Sequence, residues 1–463
     1  MQDETLLEDP ENLAVKFVKA SLPELESREL AKRFRATLLL ATLKHAYTFS
    51  EYYRSVLPCS VLDGSFALEN LPEIPLLTKE SLCGHVTALR TSVSTGILQY
   101  TTGTTGIPSS VYRSNLEISF LKQFYSSLQG ILNGSTDNPR PLILTLANLY
   151  HGNVIDIPLS GYRISTGLFD PVLLNQIMYW LTTPHGIPGV ENSISTITGL
   201  YQSVQWLTIM LIGKDFDFSK CKVKRIYSVG GFVTSRWKRL METLWSAEII
   251  PVYSLTEVFT HSNCCLLCGS YHFLPNVIPE MICPVEQTPM TEGTGELVLT
   301  GLYPFIQGQP AIRFATRDLF HLTKNRCPYG DSFEYLGRVD HSLIFKMPDL
   351  PPVVIGSAVI HDILDNEPDV ATFPFFDNLP GIYDNGTVGK PKHTMTRSVN
   401  PNGIASVRVE IELQYNPLFY QEQAMKLKKK ILRKICQKVP SLNNAMKEGL
   451  VNIELAFGPP GFL

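Results

Sequence analysis

The sequence predicts an α/β protein built on parallel sheets covered by helices, and three observations carry that expectation. Strand-type and helix-type segments alternate from Asn115 through Gly231, which is the rhythm of parallel strands joined by helical crossovers. The chain has 463 residues, 44% hydrophobic and 18% charged; this is globular composition, with length for two or three domains. A β-type run, Thr91 to Tyr100, feeds a loop in which four threonines and two glycines fill the six positions Thr101 to Gly106.

Composition also excludes several classes. The net charge of −3 gives no bulk attraction to nucleic acid. Met1 to Pro10 is acidic and lacks an apolar core, unlike an export signal, and no apolar run approaches a membrane span. A cytoplasmic protein, monomeric or homodimeric and independent of nucleic acid and membrane, is expected. Nine cysteines, three of them at 264–268, then favour reduced thiols or a metal over disulfides.

In chain order, Glu11 to Tyr53 reads as helical, with Leu30, Phe34, Leu38 and Ala41 on one face. Pro72 to Leu82 reads as a turn and a helix capped by Thr78; Lys79 and His45 read as solvated or structural rather than catalytic. In the loop, Gly103 and Gly106 permit close backbone approach, and Thr101, Thr102, Thr104 and Thr105 add hydroxyl donors. Such a loop suits a polyphosphate or a polar hairpin turn. No lysine follows its second glycine, so it is not the lysine-bearing phosphate loop of the nucleotide triphosphatases.

Asn115 to Leu132 has helical spacing, and Pro141 to Leu149 reads as a strand turning at Tyr150-His151-Gly152. Val223 to Val229 reads as a strand ending at Gly230-Gly231. Ligands of parallel sheets sit at the carboxyl ends of strands, where His151, Gly230 and Gly231 fall; His151 fits a substrate pocket or a structural role equally. Val252 to Glu257 is a further strand ending in Thr256-Glu257. Glu257 reads as a Mg²⁺ ligand beside phosphate or as an exposed carboxylate at a helix start. Cys265 and Cys268 form a C-x-x-C pair, His272 follows, and Cys327 is the best fourth partner. That set suits tetrahedral Zn²⁺ or a group of buried free thiols. Gln423 to Val439 is a helix with a basic face, read as solvated.

Tyr100 to Ser110 resembles the phosphate loop of adenylate-forming enzymes, the superfamily of acyl-CoA synthetases and adenylation domains. The flanking sequence is similar to the phenylacetate–CoA ligase branch. The likeness runs in serial order from about Leu43 to about Leu364. It includes Tyr253-Ser-Leu-Thr-Glu257 against Tyr-Gly-x-Thr-Glu, Arg313-Phe-Ala-Thr-Arg-Asp318-Leu against Arg-Tyr-Arg-Thr-Gly-Asp-Leu, and Gly337-Arg338-Val-Asp340 against the hinge. The resemblance implies a large N-terminal domain of mixed sheets and helices (1–336), a hinge (337–340) pivoting at Asp340, and a small mobile α+β domain (341–463). It implies ATP and Mg²⁺, a structural Zn²⁺ in several relatives, and coenzyme A as the usual co-substrate. The partners implied are a small-molecule acid, aryl or short acyl, and an acceptor thiol or amine. Thr101 to Gly106, Gly230, Gly231, Tyr253 and Asp318 would bind the nucleotide. Thr256, Glu257 and Arg338 would act at the phosphates, and His151 and Phe232 would line the substrate pocket.

The chain departs from the family pattern at several points. Phe232 stands in place of Glu, Ser254 and Arg317 in place of Gly, and Tyr329 in place of Cys. Lys346-Met347-Pro348 replaces a basic residue followed by Gly, and no lysine follows Lys447. These departures imply altered loop geometry at Arg317 and a weak coenzyme A step, with an amine or an oxyacid such as nitrite as alternatives. They also keep open a nucleotide-binding homologue without turnover.

Overall fold

In the computed structural model, residues 9–23, 25–91, 95–100, 109–133, 139–146, 161–168, 170–347, 350–373, 389–399 and 404–463 are described. The N-terminal helical stretch breaks into α1 (Pro10–Ala20), α2 (Leu25–Phe49) and α3 (Glu51–Val56). Side-chain caps set the start of α1, where Asp9 accepts from the Glu11 amide, and the break before α3, where Ser50 accepts from the Tyr53 amide. Short helices α4 (Ser60–Asp63), α5 (Lys79–Gly84) and α6 (Val86–Leu89) follow, and Thr78 caps α5 as its sequence predicts. Strands β1 (Gly96–Tyr100) and β2 (Ser110–Ser114) pair antiparallel and lead into α7 (Asn115–Asn133). Phe17 of α1 meets Phe124 of α7 edge to face at 5.3 Å, inside a core that these helices share with the second sheet.

The expected alternation builds a six-stranded sheet, order β4-β3-β5-β6-β7-β8. Its elements are β3 (Arg140–Leu146), β4 (Tyr162–Thr166), α8 (Pro171–Thr182), β5 (Val190–Leu200), α9 (Tyr201–Ile212), β6 (Arg225–Val229), α10 (Ser235–Trp245), β7 (Glu248–Leu255) and β8 (Thr260–Asn263). All neighbours are parallel except β8, which returns antiparallel on β7. Glu257 therefore lies in a hairpin turn and not at a helix start. The buried run in α9, including Trp206, Leu207 and Leu211, packs under this sheet.

A second, antiparallel sheet has the order β10-β9-β11-β12-β13. It comprises β9 (Val277–Ile282), β10 (Pro289–Met290), β11 (Gly293–Gly301), β12 (Phe314–Cys327) and β13 (Gly330–Arg338). The remaining elements are β14 (Leu343–Met347), β15 (Leu350–Ile355), α11 (Ser357–Asp365), β16 (His393–Val399), β17 (Ala405–Glu412), α12 (Gln421–Lys438), α13 (Pro440–Lys447) and β18 (Val451–Gly458). Their apolar residues, from Leu343 to Leu455, form a core of their own. The basic face of α12 is partly structural: Lys430 and Lys434 both reach the buried Glu367 carboxylate, at 2.7 and 2.5 Å.

Candidate active site and metal centre

The carboxyl ends of β6 and β7 carry the first residues of the site. Gly230 takes φ +71°, and a Cβ on Gly231 would stand 2.6 Å from the Tyr201 ring, so glycine is required there by contact. Phe232 follows, its ring 6.0 Å from Tyr335 and 6.3 Å from His361 of α11. The site residue Tyr253 lies on β7, and Thr256 and Glu257 occupy the four-residue turn to β8.

The β12–β13 register then sets Asp318 directly across from Arg338. Their side chains pair at 3.3 Å, and the Tyr253 hydroxyl donates to Asp318 Oδ2 at 2.8 Å. Burial pushes the Asp318 carboxyl up to about 6, and the nearby Glu257 and Glu296 charges push the same way, against Arg338 and the Tyr253 hydrogen bond. Glu257 is buried too. Desolvation raises its carboxyl, while its own backbone N–H and the charges of Lys79, Arg338 and Arg113 hold it down. A desolvated carboxylate facing cations gains by receiving a divalent ion and its phosphate ligands. Tyr253 is tied into an aromatic group, edge-on to Phe320 at 5.1 Å and Phe273 at 5.9 Å.

Arg317, where the family pattern has Gly, takes φ +60°. This left-handed backbone costs about 1–2 kcal/mol for a residue with a Cβ. Two carboxylates hold it: the Arg317 amide donates to Glu296 Oε1 at 3.1 Å, and its guanidinium meets Asp340 at 2.6 Å and Glu296 at 3.5 Å. Asp340 sits just past Gly337, where a Cβ would stand 2.2 Å from Ser357 Oγ at the start of α11. The loop Thr101 to Gly106, His151 and Pro348 lie outside the described residues.

Beyond β8, a tight turn closes with the Cys265 amide donating to Ser270 and the Gly269 amide to Cys265, both at 2.8 Å. One donor atom each from Cys265, Cys268, His272 and Cys327 lies within 4.8 Å of all the others. Cys265 and Cys327 sulfurs are 3.9 Å apart, and Cys268 Sγ is 3.2 Å from His272 Nε2. A tetrahedral ion with bonds of about 2.3 Å to sulfur spaces its ligands by about 3.8 Å, so the set fits Zn²⁺. His272 Nδ1 donates to the Asp331 carbonyl at 2.8 Å, which leaves Nε2 as the ligating nitrogen. Arg28 of α2 clamps the far side, donating to the Cys327 and Pro328 carbonyls at 3.2 and 3.1 Å. Tyr329, in the position of the family's second cysteine, is half exposed, with its ring 5.8 Å from that of His272.

Several residues of these sites carry no motif. Lys79, read from the sequence as solvated or structural, contributes charge to Glu257 from the start of α5. Arg113, Glu117, Glu296 and Asp331 act through contacts across 20 or more residues, or through backbone groups. The one signal for Arg113 and Glu117 was a pair of opposite charges four apart in an otherwise uncharged junction. His45 is structural, bonded to the Gln307 carbonyl and stacked on Tyr303.

No protein-family model and no curated protein matches the sequence. Solved structures do match. The open conformation of 2-hydroxyisobutyryl-CoA ligase with 2-HIB-AMP and CoA aligns at a TM-score of 0.66 and 14% identity, covering 94% of this chain and 89% of that one. The same ligase in its postadenylation state with 2-HIB-AMP gives 0.59 at 13% identity, covering 96% and 88%. In its thioesterification state it gives 0.54 at 13% identity, covering 100% and 94%. The chain has the fold of the adenylate-forming acyl-CoA ligases, with its large N-terminal and smaller C-terminal parts.

Proposed function

We propose that the protein adenylates a small carboxylic acid. An oxygen of the carboxylate bonds to the α-phosphorus of ATP, the bond from that phosphorus to the bridging β-oxygen breaks, and pyrophosphate leaves with the electron pair. The observation that carries this reading is the convergence of Glu257, Asp318 and Arg338, from three separate strands or turns, at the carboxyl end of β7 in this fold. Asp318 would accept from the ribose hydroxyls, Arg338 would face the phosphates, and Thr256 would donate to the α-phosphate. Glu257 would hold Mg²⁺, which supplies charge neutralisation of the leaving pyrophosphate. The donor-rich Thr101 to Gly106 sequence would supply donors to the polyphosphate. Gly230 and Gly231 admit nucleotide and acid, with Phe232 and His151 at the acid's side; Tyr253 would flank the adenine and Asp340 would pivot the smaller part.

The phenylacetate–CoA ligase-like branch is supported by the motif order and by the Cys/His cluster. That cluster would hold one structural Zn²⁺ on Cys265, Cys268, His272 and Cys327, pinning the segment after β8 to the β12–β13 turn. An aryl or short acyl acid is the substrate class proposed, in a cytoplasmic setting; no helix among the described residues is long and apolar enough to cross a membrane.

The acceptor is proposed to be an amine, or another nucleophile besides coenzyme A. Met347, in place of the family's glycine, is buried in the core of the smaller part, and Lys346 pairs with Glu286 at 3.4 Å. Among the lysines of the smaller part, Lys392 is bound to Glu412 at 2.9 Å, and Lys447 is exposed in α13. The test supplies ATP, Mg²⁺ and a panel of aryl and short acyl acids, and reads thioester beside pyrophosphate. Pyrophosphate that outruns thioester, and rises with added amine, supports this acceptor; equal rates reject it.

A further inference from the structure

We propose that the buried Arg113–Glu117 pair is a positioning device that fixes the Thr256–Glu257 turn to the strand on which the Gly/Thr loop returns. It rests on the adenylation reading above and goes beyond it by naming what aims the metal-binding carboxylate.

Arg113 lies on β2, which begins two residues after the 101–108 segment, and Glu117 lies in the first turn of α7. Both side chains are wholly buried and pair at 2.9 Å. The other arm of the guanidinium donates to the Thr256 carbonyl at 2.5 Å and approaches the Glu257 carbonyl at 3.4 Å. The second oxygen of Glu117 accepts from the amides of Gln307 and Gly308, at 3.1 and 2.9 Å. The guanidinium also covers the Phe259 ring at 5.2 Å, at the end of the same turn, where Phe259 takes φ +47°. One ion pair therefore joins three segments distant in sequence: 113–117, 256–259 and 307–308.

Burying two charges costs more than an apolar pair of the same volume would, so packing alone does not account for them. A planar fork does what an apolar side chain cannot. It holds turn carbonyls in one orientation, and with them the Cα–Cβ direction of Glu257. The strand returning from the loop and the carboxylate in the turn are thereby held in register.

The test is the double variant Arg113→Met/Glu117→Gln, which removes both charges and keeps an amide oxygen for the Gln307 and Gly308 amides. Pyrophosphate release is measured against Mg²⁺ concentration. The expected result is a melting temperature within a few degrees of wild type, with the half-saturating Mg²⁺ concentration raised at least tenfold. Arg113→Lys, a charge without a fork, should fall between the two. A folded double variant with wild-type Mg²⁺ dependence overturns the proposal while leaving adenylation standing. A wild type that releases no pyrophosphate with any acid overturns both. If the double variant does not fold, hydrogen exchange on the wild type decides. The Gln307 and Gly308 amides should exchange more slowly with Mg²⁺ and ATP than with ATP and chelator, and equal rates overturn the proposal.

Discussion

The β7–β8 hairpin separates two polar clusters. At its turn, Tyr253, Glu257, Asp318 and Arg338 gather with Glu296 and Lys79 nearby. Just beyond β8, Cys265, Cys268, His272 and Cys327 converge. In the first, burial raises the carboxyls of Glu257, Asp318 and Glu296 alike. The acids are held where their charge is disfavoured, and ligand cations would relieve it. In the second, the Asp331 carbonyl already orients His272 and the Arg28 guanidinium holds the Cys327 turn, so an ion would complete a local staple. On the proposed function, the first would be a site that stores unfavourable charge for chemistry and the second one that stabilises the fold.

The sharpest break between them comes from Glu257→Gln. Pyrophosphate release should fall about 10²–10³-fold, the scale of losing one preorganised electrostatic group. The melting temperature should hold or rise, because a neutral amide replaces a desolvated acid. Cys268→Ser should do the reverse. Zinc content should drop from one per chain, stability should fall by on the order of 3 kcal/mol, and the folded fraction should keep its turnover within a few-fold. Elemental analysis and thermal melts read both outcomes. Comparable losses of activity and stability in both variants would erase the distinction.

The two clusters also differed in how far the sequence revealed them. The Cys/His cluster was legible because C-x-x-C and a histidine four residues on are a local pattern, and Cys327, in Arg326-Cys-Pro-Tyr-Gly, was added with the help of the resemblance. The alternating strands and helices were legible for the same reason, local periodicity, and so was the Thr78 cap. Glu257, Asp318 and Arg338 were found through motif order. Lys79 was not, since a lone lysine at a helix start resembles any solvated one. Arg113 and Glu117 were missed because their partners are backbone groups up to about 190 residues away, which no spacing encodes. Arg317 was expected to distort its loop. In the structure its backbone takes φ +60°, and Glu296 and Asp340 hold the side chain that glycine would lack.

A pH series sharpens the comparison further. The Asp318 carboxyl rises from 3.8 to about 6 on folding, so the folded state binds more protons between those values. Stability should then fall as pH rises from about 4 to about 6, by about 3 kcal/mol for a two-unit shift. Glu257 and Glu296 contribute with the same sign. Asp318→Asn should flatten that slope, while nucleotide affinity, which needs the ionised acceptor, should weaken below pH 6 in the wild type. An unchanged slope in Asp318→Asn would assign the effect elsewhere.

The smallest expected effect belongs to Arg317→Gly. Relief of the left-handed strain, about 1–2 kcal/mol, opposes the loss of two partly exposed ion pairs worth about 0–1 kcal/mol each and the entropy of glycine. Stability should change by less than about 1 kcal/mol. Freed from Arg317, Asp340 should let the smaller part turn more readily, raising the ratio of thioester to pyrophosphate. A ratio that stays fixed would show that Arg317 does not restrain the hinge.

The account stands or falls on ATP–pyrophosphate exchange. Labelled pyrophosphate should enter ATP only when Mg²⁺ and an accepted aryl or short acyl acid are both present, and Glu257→Gln should lower the signal about 10²–10³-fold. Exchange absent across the whole acid panel, in a wild-type protein that calorimetry also shows not to bind ATP with Mg²⁺, would contradict it.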